Sequence, residues 1–523
     1  MSMFHSTVSR RHFMKVLGFG GAGLGVASVV NPVFHDLDEL MGASVNNAKR
    51  PWWVKEKDTP TIDIDYSLME RHDSTLQGQS AYMRAFYMGE QRVLDGGNVG
   101  SAFEAQKIAS GEPGWDARYR ALQNAYKRVA PSAAAKWEGS TVPTPSLTPE
   151  ERGEPKWQGT PEENALLLRS AMRLYGAELV FPMHMTQEEK DHVLFKNSDK
   201  ANGNQFINNW PPPATAARPI VFENVDQPFS TNEKLVIPAN KEIMEVSLSM
   251  GGSNEAWRMA PTPVASFANG NTFNNVQNCQ ASTHSFLRYL GYFQIGIIGN
   301  DTTYLGAEGS AAILSGLGEA SRQQLYTLTP EKGAPGRLYT IATDLPMAPS
   351  KPIDAGLYRF CHSCHKCADY CPPGAISQAN EPTFDRDAAN DAGSRPASDV
   401  PGYVGKDARW TVKGTKAFVM DSPLCRQYGI ETGRCLRCWA ECTFTTNRGT
   451  MVHQVIRATV ANFSLLNGPA YRMGDLFGYG AWPRTDESKV EKFFEYELPV
   501  LGHDSTIVAH DGGYNKWDGP PYL

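Results

Sequence analysis

The sequence predicts an α+β protein in which a mixed helix–strand domain is followed by a cysteine-rich domain. Helix-like and strand-like patterns alternate from about residue 160 to residue 350, an order typical of α+β folds. Eight of the nine cysteines then lie between Cys361 and Cys442. The chain has 523 residues and an apolar fraction of 41%, which is enough for several packed layers.

The beginning of the chain is typical of an export signal. Arginines are paired in Ser9-Arg10-Arg11-His12-Phe13-Met14-Lys15, and an apolar, glycine-rich run follows from Val16 to Val30. A basic head before a short apolar run marks a signal peptide, and paired arginines indicate the Tat route. We therefore expect residues 1–43 to direct the export of a folded protein that already holds its cofactors.

The next segments set the predicted domain borders. Residues 44–155 are rich in charge, proline, serine and threonine, so we expect an irregular region that wraps the core. A helix begins at Thr160, which can form a capping box with Glu163, and Gly176 ends it. Strands are predicted at residues 177–181, 220–222, 235–237 and 243–248, and further helices at residues 279–290 and 307–322. These elements define a domain from residue 156 to residue 350.

The cysteines fall into two groups with the spacing of a bacterial ferredoxin. The first group is Cys361, Cys364, Cys367 and Cys371, followed by proline, and it has the pattern C-x₂-C-x₂-C-x₃-C-P. The second group is Cys425, Cys435, Cys438 and Cys442, which keeps the ending C-x₂-C-x₃-C but has a longer first gap. We place this domain at residues 351–450, with a C-terminal extension at residues 451–523.

The pattern predicts two 4Fe–4S clusters with crossed ligation, in which the fourth cysteine of each group serves the other cluster. Cluster 1 takes Cys361, Cys364, Cys367 and Cys442, and cluster 2 takes Cys425, Cys435, Cys438 and Cys371. Zinc bound by four cysteines is the alternative, but the three-cysteine run fits a cubane better. The ninth cysteine, Cys279, is interpreted as a buried small hydrophobe rather than a catalytic group.

The charge of the chain argues against one class of partner. The net charge is −6, and no basic run appears in the sequence. Proteins that bind nucleic acid usually carry a basic face, so we expect no nucleic-acid partner.

Together, the export signal, the mixed domain and the two cysteine groups resemble the respiratory reductive dehalogenases over nearly the whole chain. Several short segments carry the resemblance in addition to the twin-arginine sequence. They are Pro51-Trp52-Trp53-Val54, Trp157-x-Gly159-Thr160-Pro161-Glu162-Glu163-Asn164, Phe286-Leu287-Arg288-Tyr289-Leu290-Gly291-Tyr292, Gly316-Leu317-Gly318-Glu319-Ala320-Ser321-Arg322, Thr343-Asp344-Leu345-Pro346-Met347-Ala348-Pro349 and Gly478-Tyr479-Gly480.

The resemblance implies a nitroreductase-like domain that binds a base-off corrinoid (cobamide), followed by a bacterial ferredoxin-like two-cluster domain. It implies reductive removal of halide from a small organohalide, R–X + 2e⁻ + H⁺ → R–H + X⁻, with the clusters feeding the corrinoid cobalt during organohalide respiration. The implied partners are a small integral-membrane anchor protein and an upstream electron donor complex. The implied location is peripheral, at the outer face of the cytoplasmic membrane.

The resemblance also implies an active site in which a tyrosine proton donor is assisted by a basic residue and an asparagine. Arg337 matches the basic position, and Asn300 lies near that of the asparagine; a surface arginine and a turn asparagine are the alternatives. Phe273 stands where the family commonly has the tyrosine. The donor is therefore open between a shifted register, another tyrosine such as Tyr289 or Tyr292, and water.

One further residue receives a cofactor role from the resemblance. Arg322 is implied to contact the phosphate or amides of the corrinoid. A charge that pairs with a helix end is the equal alternative for this residue.

Two other functions compete with reductive dehalogenation. A corrinoid enzyme similar to epoxyqueuosine reductase would act on transfer RNA in the cytoplasm, which the export signal and the missing basic patch argue against. A non-catalytic exported ferredoxin-type subunit would not need the large domain upstream of the cysteines.

Overall fold

The computed structural model of the protein describes most of the chain between residues 50 and 496. The described ranges are 50–51, 53–76, 78–120, 134–141, 146–199, 217–296, 308–324, 327–334, 336–385, 410–433, 435–445, 457–459, 462, 468, 471 and 479–496. The predicted export signal and Asn300 therefore lie outside the described residues. Residues Ala48–Leu523 form one compact unit, and the predicted domain borders within it stay predictions.

The region before the mixed domain contains two packed helices, so the prediction of an irregular segment is wrong for residues 81–109. Ser80 begins the first helix by accepting a hydrogen bond from the N–H of Met83 at 3.1 Å, and Gly89 joins the two helices with a φ of +88°. The elements of this part are β1 (Lys55–Glu56), α1 (Ala81–Met88), α2 (Glu90–Ala109), β2 (Ala134–Lys136), β3 (Gly139–Thr141) and α3 (Pro149–Arg152).

The mixed domain begins with the predicted capped helix. The N–H of Glu163 donates to Thr160 Oγ1 at 3.2 Å, and the N–H of Thr160 donates to the Glu163 carboxylate at 2.9 Å, which is a complete capping box. The elements are α4 (Pro161–Leu174), β4 (Ala177–His184), β5 (Asn197–Asp199), β6 (Ala217–Glu223), β7 (Phe229–Ser230), β8 (Leu235–Pro238), β9 (Met244–Met250), α5 (Asn254–Arg258), α6 (Pro263–Leu290), β10 (Gln294–Ile295), α7 (Glu308–Leu314) and β11 (Arg337–Thr343).

Two four-stranded sheets organise this domain, and all four predicted strands are confirmed. The first sheet has the order β10-β11-β9-β4 and is antiparallel throughout. One face of its central strand, with Val246 and Leu248 fully buried, packs against α4 and α6. The second sheet has the order β5-β6-β8-β7, in which β6 and β8 are parallel.

The helices of this domain differ in extent from the prediction. The segment 279–290 is helical, but it is only the C-terminal part of α6, which begins at Pro263. The helix predicted at 307–322 ends at Leu314. Gly316 follows with a φ of +74°, and a Cβ there would clash with the carbonyl oxygen of Lys351, so the chain turns at a close backbone approach.

The cysteine-rich part consists of short helices joined by loops. Its elements, with those of the C-terminal extension, are β12 (Ile353–Asp354), α8 (Leu357–Ser363), α9 (Lys366–Asp369), α10 (Ser422–Glu431), α11 (Arg437–Glu441), α12 (Trp482–Thr485) and α13 (Glu487–Glu491). In the described ranges, no helix combines the length and apolarity needed to cross a membrane.

Helix α10, which carries Cys425, is held against α1 and α2 by a buried polar network. Arg84 of α1 donates to Gln427 Oε1 at 2.6 Å, and Gln427 donates to the carbonyl oxygen of Arg92 at 3.0 Å. Arg92 in turn donates two hydrogen bonds to the Glu431 carboxylate, at 2.9 and 3.1 Å. The helices that the sequence did not reveal therefore support one of the cysteines.

Two glycines of α2 test this packing. A Cβ at Gly100 would clash with the carbonyl oxygen of Ile430 in α10, whereas a Cβ at Gly97 would meet nothing within 4 Å. We expect Gly100→Ala to lower the free energy of unfolding by about 1–3 kcal/mol, because α2 must move away from α10. Gly97→Ala should raise it by about 0.5–1 kcal/mol, since alanine is the better helix former.

The measurement is the thermal unfolding midpoint of both variants beside the parent chain. Equal shifts of the two variants in the same direction would contradict this packing of α2 on α10.

Candidate functional site

The eight clustered cysteines bring members of the two sequence groups close to one another. Burial first, and then the neighbouring thiols of Cys364 and Cys442, raise the pKa of Cys361 above its usual range. Cys367 has a pKa raised by burial and by Cys361, Cys364 and Cys442. These four thiols are neighbours, and we call Cys361, Cys364, Cys367 and Cys442, the ligands predicted for cluster 1, the first set.

The cysteines near the second sequence group show the same mixture. Burial raises the pKa of Cys425, and the thiols of Cys371 and Cys435 raise it further. The pKa of Cys438 is raised by burial and by Cys425, Cys371, Cys435 and, to a smaller extent, Cys367 of the first group. Cys371 therefore lies near members of the second group and Cys442 near members of the first, while Cys367 also packs with Cys371, Cys425 and Cys438. Which four cysteines bind each cluster stays a prediction, and we call Cys371, Cys425, Cys435 and Cys438, the ligands predicted for cluster 2, the second set.

The cysteines of the described chain are all free thiols, with no disulfide among them. Among the residues that the structure describes, no three histidine, cysteine, aspartate or glutamate side chains converge closely enough to hold a single metal ion. The cysteine loops are nevertheless built around the thiols. Cys364 Sγ lies 3.7 Å from Thr443 Oγ1, so the two sequence groups are in direct contact.

Cys279 lies apart from both sets, in the interior of α6. Its thiol is fully buried, contacts the carbonyl oxygen of Met172 at 3.7 Å, and has a pKa raised by burial to about 12. A thiol that stays protonated in an apolar core fits the prediction of a small hydrophobe.

Arg322 organises the loop of the first set. The side chain is fully buried, and its guanidinium donates six hydrogen bonds to carbonyl oxygens. The acceptors are the carbonyl oxygens of Cys361, His362, Cys364, Ser377 and Ala379, at 2.6 to 3.3 Å. Every nitrogen of the guanidinium is occupied by the cysteine loop, so the corrinoid contact stays a prediction that these contacts do not support.

Glu319 contacts the beginning of helix α8, whose C-terminal part accepts hydrogen bonds from Arg322. Its carboxylate accepts hydrogen bonds from the N–H groups of Ala355 at 3.1 Å and Leu357 at 2.8 Å, at the beginning of α8. Thr61 donates to the other carboxylate oxygen at 2.7 Å. The motif Gly316–Arg322 therefore contacts α8, which carries Cys361, at both ends.

Arg337 lies at the beginning of β11 beside two aromatic rings. Its guanidinium carbon is 4.0 Å from the centroid of the Phe273 ring, and the Phe273 ring meets the Tyr339 ring edge to face, with centroids 6.1 Å apart. Because Arg337 and Tyr339 are two residues apart in a strand, their side chains share one face of the sheet. The sequence analysis missed Tyr339 because it predicted no strand at residues 337–343, where the structure has β11.

The two tyrosines named from the sequence lie elsewhere. Tyr289 is sixteen residues beyond Phe273 in α6, about 24 Å along the helix axis, and its ring stacks under Arg152 at 3.5 Å. Tyr292 follows the end of α6 and donates to the carbonyl oxygen of Trp157 at 2.8 Å. Neither phenol can replace a hydroxyl at Phe273.

The mixed domain contains buried polar atoms without protein partners. They include Trp257 Nε1, Asn269 Oδ1 and Gln323 Oε1, on side chains that are at most 2% exposed. Trp257 belongs to the same packed core as Cys361 and Cys364. Buried donors and acceptors of this kind need partners, and a ligand rich in amide groups would supply them.

The family described as reductive dehalogenase subunit matches residues 49–347, more than half of the chain. The chloroethene reductive dehalogenase of Dehalococcoides mccartyi strain VS is 27% identical over 568 aligned residues, covering 96% of this chain and 99% of that protein. The trichloroethene reductive dehalogenase of Dehalococcoides mccartyi strain 195 is 29% identical over 587 residues, covering 95% of this chain and 98% of that protein.

Solved structures show the same mixed fold. The tagged catabolic reductive dehalogenase NpRdhA matches with a TM-score of 0.54 at 17% identity, covering 85% of this chain and 52% of that one. A further reductive dehalogenase structure, which suggests a mechanism for B12-dependent dehalogenation, matches with a TM-score of 0.51 at 16% identity, covering 86% of this chain and 52% of that one. This chain spans about half the length of those solved dehalogenases.

Proposed function

Because this chain belongs to the reductive dehalogenase family, we propose that it removes halide from a small organohalide with the help of two 4Fe–4S clusters and a corrinoid. Members of this family are oxidoreductases, and the reaction is R–X + 2e⁻ + H⁺ → R–H + X⁻. The observation that supports the cofactors best is that eight cysteines from the two sequence groups lie close to one another, with Cys371 near the second group and Cys442 near the first.

The cysteine sets are the proposed ligands of the clusters. Thiolates are the ligands of a 4Fe–4S cluster, and the crossed grouping is that of a two-cluster ferredoxin-like domain. Burial raises the pKa of Cys435 and Cys442 to about 11, so these thiols are protonated until iron displaces the proton. Such clusters, when bound, would pass single electrons from an external donor to the site of the reaction.

The corrinoid is proposed to lie in a nitroreductase-like domain and to contact the buried residues Trp257, Asn269 and Gln323. The unpartnered polar atoms of these residues fit a ligand that carries amide side chains. A bound corrinoid would supply the cobalt at which the carbon–halogen bond is reduced. The chain itself binds and orients the ligand there and keeps water away.

The proton of the reaction is proposed to come from Tyr339. Its phenol lies on the same sheet face as Arg337, beside the Phe273 ring that occupies the expected donor position. A guanidinium near a phenol favours the ionised phenolate that remains after proton transfer, and it also stabilises the departing halide. Asn300 is proposed as a further polar contact, as its sequence position implies.

The substrate is proposed to be a small chlorinated ethene. The two relatives that match this chain over nearly their whole length are named for chloroethene and trichloroethene. A hydrophobic surrounding of Phe273 and Tyr339 suits a small apolar molecule better than a charged one.

We also propose the cellular setting that the twin-arginine segment predicts. The chain is exported by the Tat route and works at the outer face of the cytoplasmic membrane. A small integral-membrane anchor protein would hold it there, and an upstream electron donor complex would reduce its clusters. The two alternatives lose their basis, because the family match at residues 49–347 covers the domain upstream of the cysteines.

The ligand sets are tested by the iron content of two matched cysteine variants. We expect Cys442→Ala to lower iron from about eight to about four per chain, because one cluster loses a ligand. Cys279→Ala should leave iron unchanged, since that thiol lies in the interior of α6. Loss of iron from the Cys279 variant, or full iron in the Cys442 variant, would contradict the assignment.

The proton donor is tested by removing one hydroxyl. We expect Tyr339→Phe to lower kcat about 10²-fold or more, because general acid catalysis typically contributes that much. Tyr292→Phe removes a hydroxyl from the same core and should leave kcat unchanged. In the double variant Tyr339→Phe/Phe273→Tyr, a phenol returns beside Arg337, and we expect activity to recover in part.

The pH profile of kcat separates a catalytic role from a packing role for Tyr339. A Tyr339→Phe enzyme with parental kcat and an unchanged profile would eliminate this donor.

The overall reaction is tested by chloride release. Purified protein that contains cobalt and iron should release chloride from trichloroethene when a low-potential reductant is supplied, and protein from cells grown without cobalt should not. Cofactor-loaded protein that releases no halide from any chlorinated ethene, propane or aromatic compound would refute the proposed function.

A further inference from the structure

The contacts of Arg322 point to a role that the sequence did not suggest. Arg322 lies in the domain upstream of the cysteines, yet all six of its hydrogen bonds reach the cysteine loop. Two of its acceptors are the carbonyl oxygens of Cys361 and Cys364, which are members of the first set. The guanidinium therefore contacts the backbone of two members of the first set directly.

The charge of this guanidinium has no carboxylate partner within ion-pair distance in the described part of the chain. Its ring contact is with Phe418, whose centroid is 4.0 Å from the guanidinium carbon. Burial lowers the pKa of Arg322, while the thiols of Cys367, Cys361 and Cys364 raise it, ahead of the smaller effect of Asp369. An arginine remains charged in proteins, so a buried positive charge faces the cysteines.

A buried cation is costly unless negative charge compensates it. Carbonyl dipoles compensate Arg322 in part, and the thiolates of the first set are the nearest source of full negative charge. A 4Fe–4S cluster held by four thiolates is itself negative, and each electron that it accepts adds one more negative charge. In a low-dielectric interior, a fixed cation beside the cluster stabilises that extra charge.

We propose that Arg322 is a positioning residue that raises the reduction potential of the cluster held by Cys361, Cys364, Cys367 and Cys442. This inference rests on the proposed function, because it requires that the first set holds a 4Fe–4S cluster. The redox step is the gain of one electron by that cluster from an external low-potential reductant, with no bond made or broken. The second cluster is not expected to respond to Arg322.

The cations near the two sets explain why Arg322 should affect the first cluster and not the second. The cations that face the second set, Arg426 beside Cys425 and Arg437 beside Cys435, are both partly exposed, so water and salt screen them. Two other cations face the first set, namely Lys366 near Cys364 and Arg457 near Cys442, and both would remain when Arg322 is replaced. Replacing Arg322 by a neutral residue therefore removes one positive charge near the first set and keeps the other two.

The test is a potentiometric titration of the iron-loaded protein, followed by electron paramagnetic resonance of the reduced clusters. Cys364→Ser, which changes a ligand of the first set, identifies the reduction step of that cluster. We expect Arg322→Gln to move this step to a more negative potential and to leave the other step in place. Arg322→Lys, which keeps the charge, should keep both steps near their parental potentials.

Arg71 provides the matched control. It is a half-buried arginine that donates to the carbonyl oxygens of Phe195 and Ile220, remote in sequence from both cysteine groups. Arg71→Gln removes a similar set of carbonyl hydrogen bonds and should move neither step.

Each result decides the inference. If Arg322→Gln moves the first step to a more negative potential while Arg322→Lys keeps it near the parental potential, the charge is responsible and the inference stands. Parental potentials in an iron-loaded Arg322→Gln protein would overturn the inference. Loss of the cluster from both variants would also overturn it, because the hydrogen bonds of the guanidinium, and not its charge, would then be what the cluster requires. Parental protein without iron would instead refute the proposed function.

Discussion

The arrangement of the site depends on how one short segment, Gly316 to Arg322, contacts helix α8. Glu319 accepts N–H groups at the beginning of α8, and Arg322 donates to carbonyl oxygens at its end and in the following loop. Gly316 and Gly318 let the segment lie against the backbone of Lys351 and Leu328. A Cβ at either glycine would clash with the carbonyl oxygen of that neighbour. The domain upstream therefore fixes the position of Cys361, and any electron that reaches the first set arrives in contact with that domain.

The charges of the cysteines and of Arg322 depend on the same contacts between the Gly316–Arg322 segment and α8. Burial and neighbouring thiols raise the pKa of the cysteines, which favours neutral thiols in the protein without iron. The proposed clusters would release protons on binding and place negative charge beside Arg322. In the described part of the chain, carbonyl dipoles and the charge of Asp369 compensate the guanidinium. A cluster at the first set would add negative charge there, which would couple metal binding to the stability of the cysteine loop.

The sequence predicted the elements whose signals are local. The capping box at Thr160 and the strands around Val180, Val236 and Val246 are present because capping and alternation depend on neighbouring residues only. Helix α2 was missed because its interior glycines lower helix propensity, and the close contact of Gly100 with α10 that accounts for one of them is tertiary. The helix predicted through Arg322 ends early for a similar reason, since Gly316 approaches a backbone segment 35 residues away. Cysteine spacing was informative because a ligand set must fit one rigid cofactor.

Residue roles are harder to obtain from sequence than elements are, and Arg322 and Tyr339 show why. Arg322 was interpreted by its motif, but hydrogen bonds to residues 39 to 57 positions away decide what it contacts. Tyr339 was overlooked because the donor was sought on α6, the helix that carries Phe273, and not on the strand that packs against it. A helix and a strand that face each other can each supply a phenol to the space between them, since both direct side chains into it. A phenylalanine at position 273 of α6 therefore need not deprive the site of a phenol, because the facing strand β11 carries one at Tyr339.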